Sequence, residues 1–175
     1  AEEIADKFKL DKVYFVPVGN YYEKTDLIDE NKRLDMLKSI KTDKIDVLDI
    51  ELNSKKKLLA VDAFELINNS FSSSENYFII GGDNLEKLPN WENATKCLNN
   101  NIIAIQRGKN LASIIAGNKL LEENKNKIFE FNANKLYNYS STEVRKAIKN
   151  GNMETLNKML NKNVYFYIEE NNLYK

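Results

Sequence analysis

The sequence has no histidine among its 175 residues. This absence excludes Ser-His-Asp and Cys-His nucleophilic sites, histidine-ligated metals and any histidine general acid or base. Cys97 is the single cysteine, so a disulfide framework and a cysteine-based zinc site are excluded as well. Any chemistry must therefore rest on carboxylates, lysines, arginines, hydroxyls, backbone amides and hard cations.

The sequence also lacks a charge excess and long apolar runs. Basic and acidic residues number 26 each, so the positive surplus of a general nucleic-acid or anionic-membrane binder is missing. No run approaches the roughly 20 apolar residues of a membrane helix, and no signal peptide is recognisable. We therefore expect one cytoplasmic domain over residues 1–175, without nucleic-acid or membrane partners. Homo-oligomer formation is left open.

Apolar runs rich in β-branched and aromatic residues alternate along the chain with segments of helical periodicity. This alternation predicts an α/β fold, a Rossmann-like doubly wound parallel sheet with right-handed crossovers, whose ligands bind beyond the carboxyl ends of the strands. The C-terminal run is predicted as helix rather than strand. The predicted strands are 12–19, 44–52, 76–83, 101–108 and 127–132, and the main predicted helices are 29–40, 58–71, 84–99, 111–124, 140–151 and 153–160.

The segment YSSTEVRKAI is the most informative for function. Ser140 or Ser141 can cap a helix, and Glu143 can complete a capping box. A phosphate could bind at that helix start. It would contact the free amides, hydroxyls including that of Thr142, and Arg145 one turn further along the helix. The competing interpretation is an ordinary capped helix with a surface arginine.

The segment GGDNL follows an apolar strand. Gly81 and Gly82 would let a ligand approach the backbone, and Asp83 could accept hydrogen bonds from ribose hydroxyls. A tight turn with Asp83 as helix N-cap is the alternative. Trp91, the single tryptophan, is suited to stack on a flat heterocycle, although such a residue commonly belongs to the core.

Two further cations follow predicted strands. Lys24 lies in the loop after the first strand, and Arg107 ends the fourth strand. Each is suited to bind an anion. The alternative for each is a solvated surface side chain without a ligand.

Five segments, taken in order, resemble bacterial nicotinate-nucleotide adenylyltransferases, members of the HxGH nucleotidyltransferase superfamily, over almost the whole chain. They are VPVGxxxxK, the R-L-x-M-L run from Arg33 to Leu37, GGDNLxxLxxW, IIAIxRG and YSSTEVRKAI. The S-S-T-x-x-R element is the most specific of the five. The resemblance implies transfer of AMP from ATP to nicotinate mononucleotide, with release of pyrophosphate and with Mg²⁺ held mainly by phosphate oxygens and water.

The resemblance also assigns roles to residues. The ATP phosphates and ribose would be bound by Ser140, Ser141, Thr142, Arg145, Lys24, Gly82 and Asp83. Nicotinate mononucleotide would be bound by Trp91 and Arg107. Residues 140–175 would form a C-terminal helical segment of the single nucleotidyltransferase domain.

The chain departs from the family pattern in three places, one of which is Glu23-Lys24 where the family has an HK loop. The family's opening strand and GxFxPxHxGH loop have no counterpart, so we expect an N-terminally truncated, impaired form without the first central strand and without catalytic residues of its own. The family's S-Y-T-x-D-T-L run is replaced by residues 58–64, of which Asp62 agrees. This change favours, as one alternative, an adenylyl- or cytidylyltransferase for another phosphorylated acceptor. The lack of histidine supports a second alternative, a non-catalytic nucleotide-binding domain.

Overall fold

A computed structural model describes residues 1–21, 27–54, 56–106, 108–132 and 139–175. The chain divides into two compact units. We call Ala1–Lys57 together with Tyr137–Lys175 the terminal unit, and Leu58–Leu136 the central unit.

Strands and helices alternate along most of the described chain. The strands are β1 Val13–Phe15, β2 Ile45–Val47, β3 Tyr77–Gly81, β4 Asn101–Ile105 and β5 Ile128–Phe131. The helices are α1 Glu2–Phe8, α2 Glu30–Lys38, α3 Ile50–Ser54, α4 Ala60–Ser70, α5 Gly82–Lys87, α6 Ala94–Leu98, α7 Leu111–Ala116, α8 Lys119–Glu123, α9 Ser141–Lys149, α10 Met153–Met159 and α11 Lys162–Glu170. Short 3₁₀ helices cover Leu88–Asn90 and Lys125–Lys127.

The strand pairing confirms the predicted α/β class with parallel strands. In the terminal unit, β1 pairs parallel with β2, and Val13 lies opposite Ile45. In the central unit, the order is β3-β4-β5, again parallel throughout, and Ile102 lies opposite both Phe78 and Ile128. The described ladders thus form one two-stranded and one three-stranded sheet.

The central unit has a dense apolar core around its middle strand. Ile102, Ile103 and Ala104 of β4 are fully buried, as expected for a continuous apolar strand between two covered faces. Helices α5, α6, α7 and α8 add buried side chains to the same cluster. Cys97 of α6 is part of it, and burial raises the pKa of its thiol, with a smaller contribution from the charge of Asp62.

The terminal unit has a smaller core formed by its last three helices. Its buried residues are Ala147, Ile148, Leu156, Ile168 and Leu173, against which Met36 of α2 also packs. Polar side chains link α11 to α2: the Tyr167 hydroxyl donates to an Asp35 carboxylate oxygen at 3.0 Å, and the Asn163 amide donates to the Ser39 carbonyl at 2.9 Å.

All five strands are shorter in the structure than the predicted ranges, and the first two differ most. Residues 12–19 contribute only Val13–Phe15, since Pro17 has no N–H to donate to a ladder. The prediction of a strand over 44–52 was wrong beyond Val47, because the chain turns into α3, where the Asn53 N–H donates to the Asp49 carbonyl at 2.9 Å. The predicted helix at the C-terminal end is confirmed by α11.

Candidate functional site

The N-terminus of α9 is closed by a reciprocal capping box. Ser140 is the N-cap residue, and its Oγ accepts a hydrogen bond from the Glu143 N–H at 3.2 Å. One Glu143 carboxylate oxygen accepts from the Ser140 N–H at 3.0 Å and from the Ser140 hydroxyl at 2.9 Å. The predicted capping box is therefore confirmed, with Ser140 rather than Ser141 as the cap.

The first turn of α9 also presents polar groups to solvent. Ser141 and Thr142 are exposed, and Arg145 is half-buried one turn further on. The Arg145 Nη2 lies 3.5 Å from the Thr142 Oγ1, at the outer limit of a hydrogen bond. A helix start with positive dipole, two exposed hydroxyls and a guanidinium on the same side is chemically suited to bind an anion.

Tyr174, close to the C-terminus, lies in the electrostatic neighbourhood of this arginine. Burial raises the pKa of the Tyr174 phenol, while the positive charges of Arg145 and Arg33 both lower it. The phenol packs against the apolar cluster that contains Ala147 and Ile148 of α9. Two cations of the terminal unit, one on α2 and one on α9, therefore act on the same hydroxyl.

Arg33 on α2 is a residue to which the sequence assigned no role of its own. Its Nη1 donates to the Asn20 side-chain oxygen at 3.0 Å and to the Ile28 carbonyl at 2.5 Å, and its Nη2 donates to the Val18 carbonyl. Among the described residues, its buried Nε has no hydrogen-bond partner. The sequence signal for Arg33 is its place in the R-L-x-M-L run, which carries no information about these partners.

In the central unit, the two glycines join a strand to a helix. Gly81 ends β3 and takes the N-cap position of α5, with φ −75° and ψ 155°. Gly82 is buried at the first helical position, whereas Asp83 is exposed in the first turn. The alternative that made Asp83 the N-cap was wrong, since a residue inside the first turn cannot fill that position. Its carboxylate instead complements the helix dipole there.

Trp91 lies between the 3₁₀ helix Leu88–Asn90 and α6. Its backbone N–H donates to the Leu88 carbonyl at 2.9 Å. The side chain is half-buried and packs against the apolar cluster of the central unit. This position combines a core contact with an accessible part of the indole.

The altered run at residues 58–64 forms the start of α4. Leu59 takes the N-cap position, and the Asp62 carboxylate accepts a hydrogen bond from the Leu59 N–H at 3.3 Å. A leucine side chain has no acceptor for the helix amides, so only this half of a capping box exists. Leu58, Val61, Ala63 and Phe64 are buried.

The predicted site residues are distributed over both units. Ser140, Ser141, Thr142 and Arg145 come together on α9 in the terminal unit, and Gly82, Asp83 and Trp91 belong to the central unit. Tyr174 packs against the same apolar cluster as Val144 of α9, and the charges of Arg33 and Arg145 both lower its pKa, an association that sequence spacing did not reveal. Lys24 and Arg107 lie outside the described residues.

Two absences among the described residues are also relevant to function. None of the helices in the described ranges is long and apolar enough to cross a membrane. The same ranges contain no group of three or more His, Cys, Asp or Glu residues that could hold a metal ion.

Comparison with known proteins identifies the class to which this fold and site belong. The model of the cytidylyltransferase-like family matches residues 1–147, so the chain belongs to that family of nucleotidyltransferases. Within that class, the relatives that match almost the whole chain include proteins named probable nicotinate-nucleotide adenylyltransferase. The probable nicotinate-nucleotide adenylyltransferase of Acholeplasma laidlawii is 30% identical over 174 residues, which cover 99% of this chain and 87% of that protein. The probable enzyme of Clostridium novyi is 29% identical over 181 residues, covering 100% of this chain and 90% of that protein.

Solved structures support the same fold. Nicotinic acid mononucleotide adenylyltransferase of Plasmodium falciparum, complexed with NaAD, superposes with a TM-score of 0.75 at 22% identity over 99% of this chain and 89% of that one. The same enzyme complexed with APC gives a TM-score of 0.73 at 21% identity, with the same coverage. At this identity the likeness establishes the nucleotidyltransferase-type α/β fold.

Proposed function

We propose that this chain transfers the AMP moiety of ATP to nicotinate mononucleotide, giving deamido-NAD and pyrophosphate in NAD biosynthesis. Its relatives carry the name of that activity over the full length of the chain. The observation that carries the proposal is the N-terminus of α9, where exposed Ser141 and Thr142 and the guanidinium of Arg145 share one turn. This arrangement suits a triphosphate.

The proposed reaction is an in-line displacement at phosphorus. A phosphate oxygen of the acceptor forms a bond to the α-phosphorus of ATP, the bond to the bridging α–β oxygen breaks, and pyrophosphate leaves. The amides of α9 and Arg145 neutralise charge that develops on the departing phosphates. Such a transfer depends on positioning and electrostatics, so it requires no nucleophilic side chain.

The remaining assignments follow the family pattern. Asp83 accepts from a ribose hydroxyl, and the backbone at Gly82 allows close approach of the nucleotide. Trp91 stacks on the nicotinate ring, which its half-buried indole permits. Lys24 is assigned to the triphosphate and Arg107 to the nicotinate nucleotide, although both lie outside the described residues.

Mg²⁺ enters this proposal bound to ATP, by phosphate oxygens and water. Triphosphate-bound Mg²⁺ keeps several water ligands and needs few protein carboxylates, so it fits the polar groups at α9. When bound, the ion neutralises phosphate charge during transfer. We place the reaction in the cytoplasm.

A second candidate function differs in the acceptor. Because residues 58–64 replace the family's hydroxyl-bearing run, and Leu59 rather than a hydroxyl residue caps α4, another phosphorylated acceptor is the alternative to nicotinate mononucleotide. A non-catalytic nucleotide-binding domain remains the alternative from another class, favoured by the lack of histidine in this sequence.

Calorimetric titration with nicotinate mononucleotide, nicotinamide mononucleotide and ATP·Mg²⁺ tests these candidates. We expect ATP binding together with preference for the nicotinate form, and quenching of Trp91 fluorescence by that ligand. Arg145→Met should weaken ATP binding about tenfold, the worth of a charge-assisted hydrogen bond. Lys146→Met, which removes an exposed neighbouring charge, is the matched control.

The other possible results of the titration distinguish between the candidate functions. Binding of ATP without either mononucleotide would favour the alternative acceptor or the non-catalytic domain, and an assay of AMP transfer to other phosphorylated compounds would separate those two. A folded chain that binds none of the three ligands would overturn the proposal.

A further inference from the structure

The guanidinium of Arg33 joins the two ends of the connection between β1 and α2. Its Nη2 donates to the Val18 carbonyl and its Nη1 to the Asn20 side chain, on the β1 side, while Nη1 also donates to the Ile28 carbonyl, which precedes α2. Glu30 of α2 reinforces this contact, since its carboxylate accepts from the Asn20 N–H at 2.9 Å. We call these contacts the Arg33 clip.

The Arg33 clip leaves the positive charge of the arginine without a described counter-ion. Its three described acceptors are neutral oxygens, and within the described residues Arg33 forms no ion pair. Its Nε is buried and has no partner there. Burying part of a cation against neutral oxygens is costly compared with an apolar side chain of similar volume, so stability alone is a weak reason for an arginine at this position.

The location of the Arg33 clip relates it to the nucleotide site. The residues it holds, 18–20, follow β1 at its carboxyl end, where parallel α/β folds bind their ligands. Ile28, which the clip holds, packs against the same apolar cluster as Val144 of α9 and Tyr174, so the clip and α9 border one cluster. Gly19 is buried within this turn, and a Cβ there would approach the Tyr21 ring to 3.0 Å.

We propose that Arg33 is a positioning residue for the nucleotide: through the turn at Val18, Gly19 and Asn20, it shapes the ATP phosphate site beside α9. It acts through backbone and Asn20 contacts rather than by touching the ligand. The inference rests on the proposed function in taking ATP as the ligand of α9. A guanidinium is required because a lysine ammonium has no planar fork with which to reach acceptors on both sides of the connection.

The test measures ATP·Mg²⁺ and nicotinate mononucleotide affinities by calorimetry for Arg33→Met, Arg33→Lys and the matched control Lys38→Met. Lys38 is an exposed cation near the end of the same helix. We expect Arg33→Met to weaken ATP binding about tenfold and nicotinate mononucleotide binding less than about twofold, on the scale of a lost charge-assisted contact. Arg33→Lys should recover little of the loss, and Lys38→Met should bind both ligands like the parent chain.

A general structural role predicts a different pattern, in which both affinities fall together with the melting temperature. That pattern, or unchanged ATP binding by folded Arg33→Met, would overturn the inference. If Arg33→Met fails to fold, Asn20→Ala replaces it: a selective loss of ATP affinity supports the inference, and an unchanged affinity contradicts it. Hydrogen exchange of the unliganded chain gives a check independent of ATP, since Arg33→Met should accelerate exchange at the Asn20 amide. Failure of the parent chain to bind nicotinate mononucleotide would count against the proposed function alone.

Discussion

The two compact units differ in the number of large side chains that each of them buries completely. Seven of the nine largest fully buried side chains among the described residues belong to the central unit: Leu85, Leu88, Leu98, Ile102, Ile103, Leu111 and Leu121. The terminal unit contributes Leu156 and Ile168. Polar side chains also join elements of the terminal unit, as in the Arg33 clip and the hydrogen bond from Tyr167 to Asp35.

This difference suggests how stability and ligand binding are divided. Close-packed apolar cores contribute most of the free energy of unfolding, whereas polar contacts contribute less and specify geometry. The terminal unit carries the proposed anion site of α9, which would depend on the placement of hydroxyls and guanidinium groups. We therefore expect its substitutions to change binding more than stability, and those in the central core to do the reverse.

The largest predicted effect compares equivalent truncations in short helices of the two units. Leu98→Ala in α6 should cost about 4 kcal/mol of unfolding free energy, and Leu156→Ala in α10 about 2 kcal/mol. Leu98 is fully buried in the dense central cluster, while many neighbours of Leu156 are only partly buried and can relax into the space left. Urea unfolding followed by circular dichroism measures both. Equal costs would show that the two cores are equally close-packed.

The next largest effect on stability concerns hydrogen bonds between asparagine side chains in the central unit. The Asn68 amide donates to the Asn100 side chain at 3.0 Å and its oxygen accepts from the Asn76 amide at 3.1 Å. Asn68→Ala should cost about 1.5 kcal/mol, because half-buried partners lose their hydrogen bonds. Asn69→Ala, at an exposed position of the same helix, is the control. A cost no larger than the control's would mean that the central unit gains nothing from this chain of amides.

The capping box of α9 should have a smaller effect on stability. Ser140→Ala removes the acceptor for the Glu143 N–H and should cost about 1 kcal/mol. The exposed neighbour Ser141→Ala should leave the unfolding free energy nearly unchanged. Thermal unfolding of the two variants compares them directly. If Ser141→Ala lowered the unfolding free energy more than Ser140→Ala, then Ser140 would not be the capping residue.

The smallest effect is a pH dependence from the surface of the terminal unit. The hydrogen bond from Lys41, at 2.5 Å, and that from the Val47 N–H lower the pKa of Asp46 below its ordinary value of 3.8. A lowered carboxyl pKa stabilises the folded state above the unfolded pKa, and this stabilisation is lost as the pH falls through the folded value. The stability difference between the parent chain and Asp46→Asn, seen at about pH 6, should therefore shrink in acid. Asp43→Asn, at an exposed position, should show no such trend.

The sequence predicted those parts of the fold that local signals determine. The Ser-x-x-Glu spacing placed the capping box, because both partners lie within one helical turn. The pattern over 44–52 was misleading: its alternating Ile and Val residues are typical of a strand, but a helix begins at Ile50. Pairing with the three residues of β1 limited the strand, and a single sequence does not contain that information.

The same distinction applies to the site. The α9 residues were recognisable because they are contiguous in the chain. The contacts of Arg33 were not, because they require Val18, Asn20 and Ile28 to fold back onto α2. Nothing in the spacing of an arginine within an amphipathic helix distinguishes such a contact from an exposed side chain.

The burial of Cys97 has a practical consequence for experiments on this chain. It is the single thiol, it is 4% exposed, and burial raises its pKa, so the folded protein should react slowly with alkylating reagents. Reaction then requires the surrounding core to open, so the rate of thiol modification reports how often the core opens. A mass spectrometer that counts single adducts over time would therefore report the motions of the central unit without any engineered label.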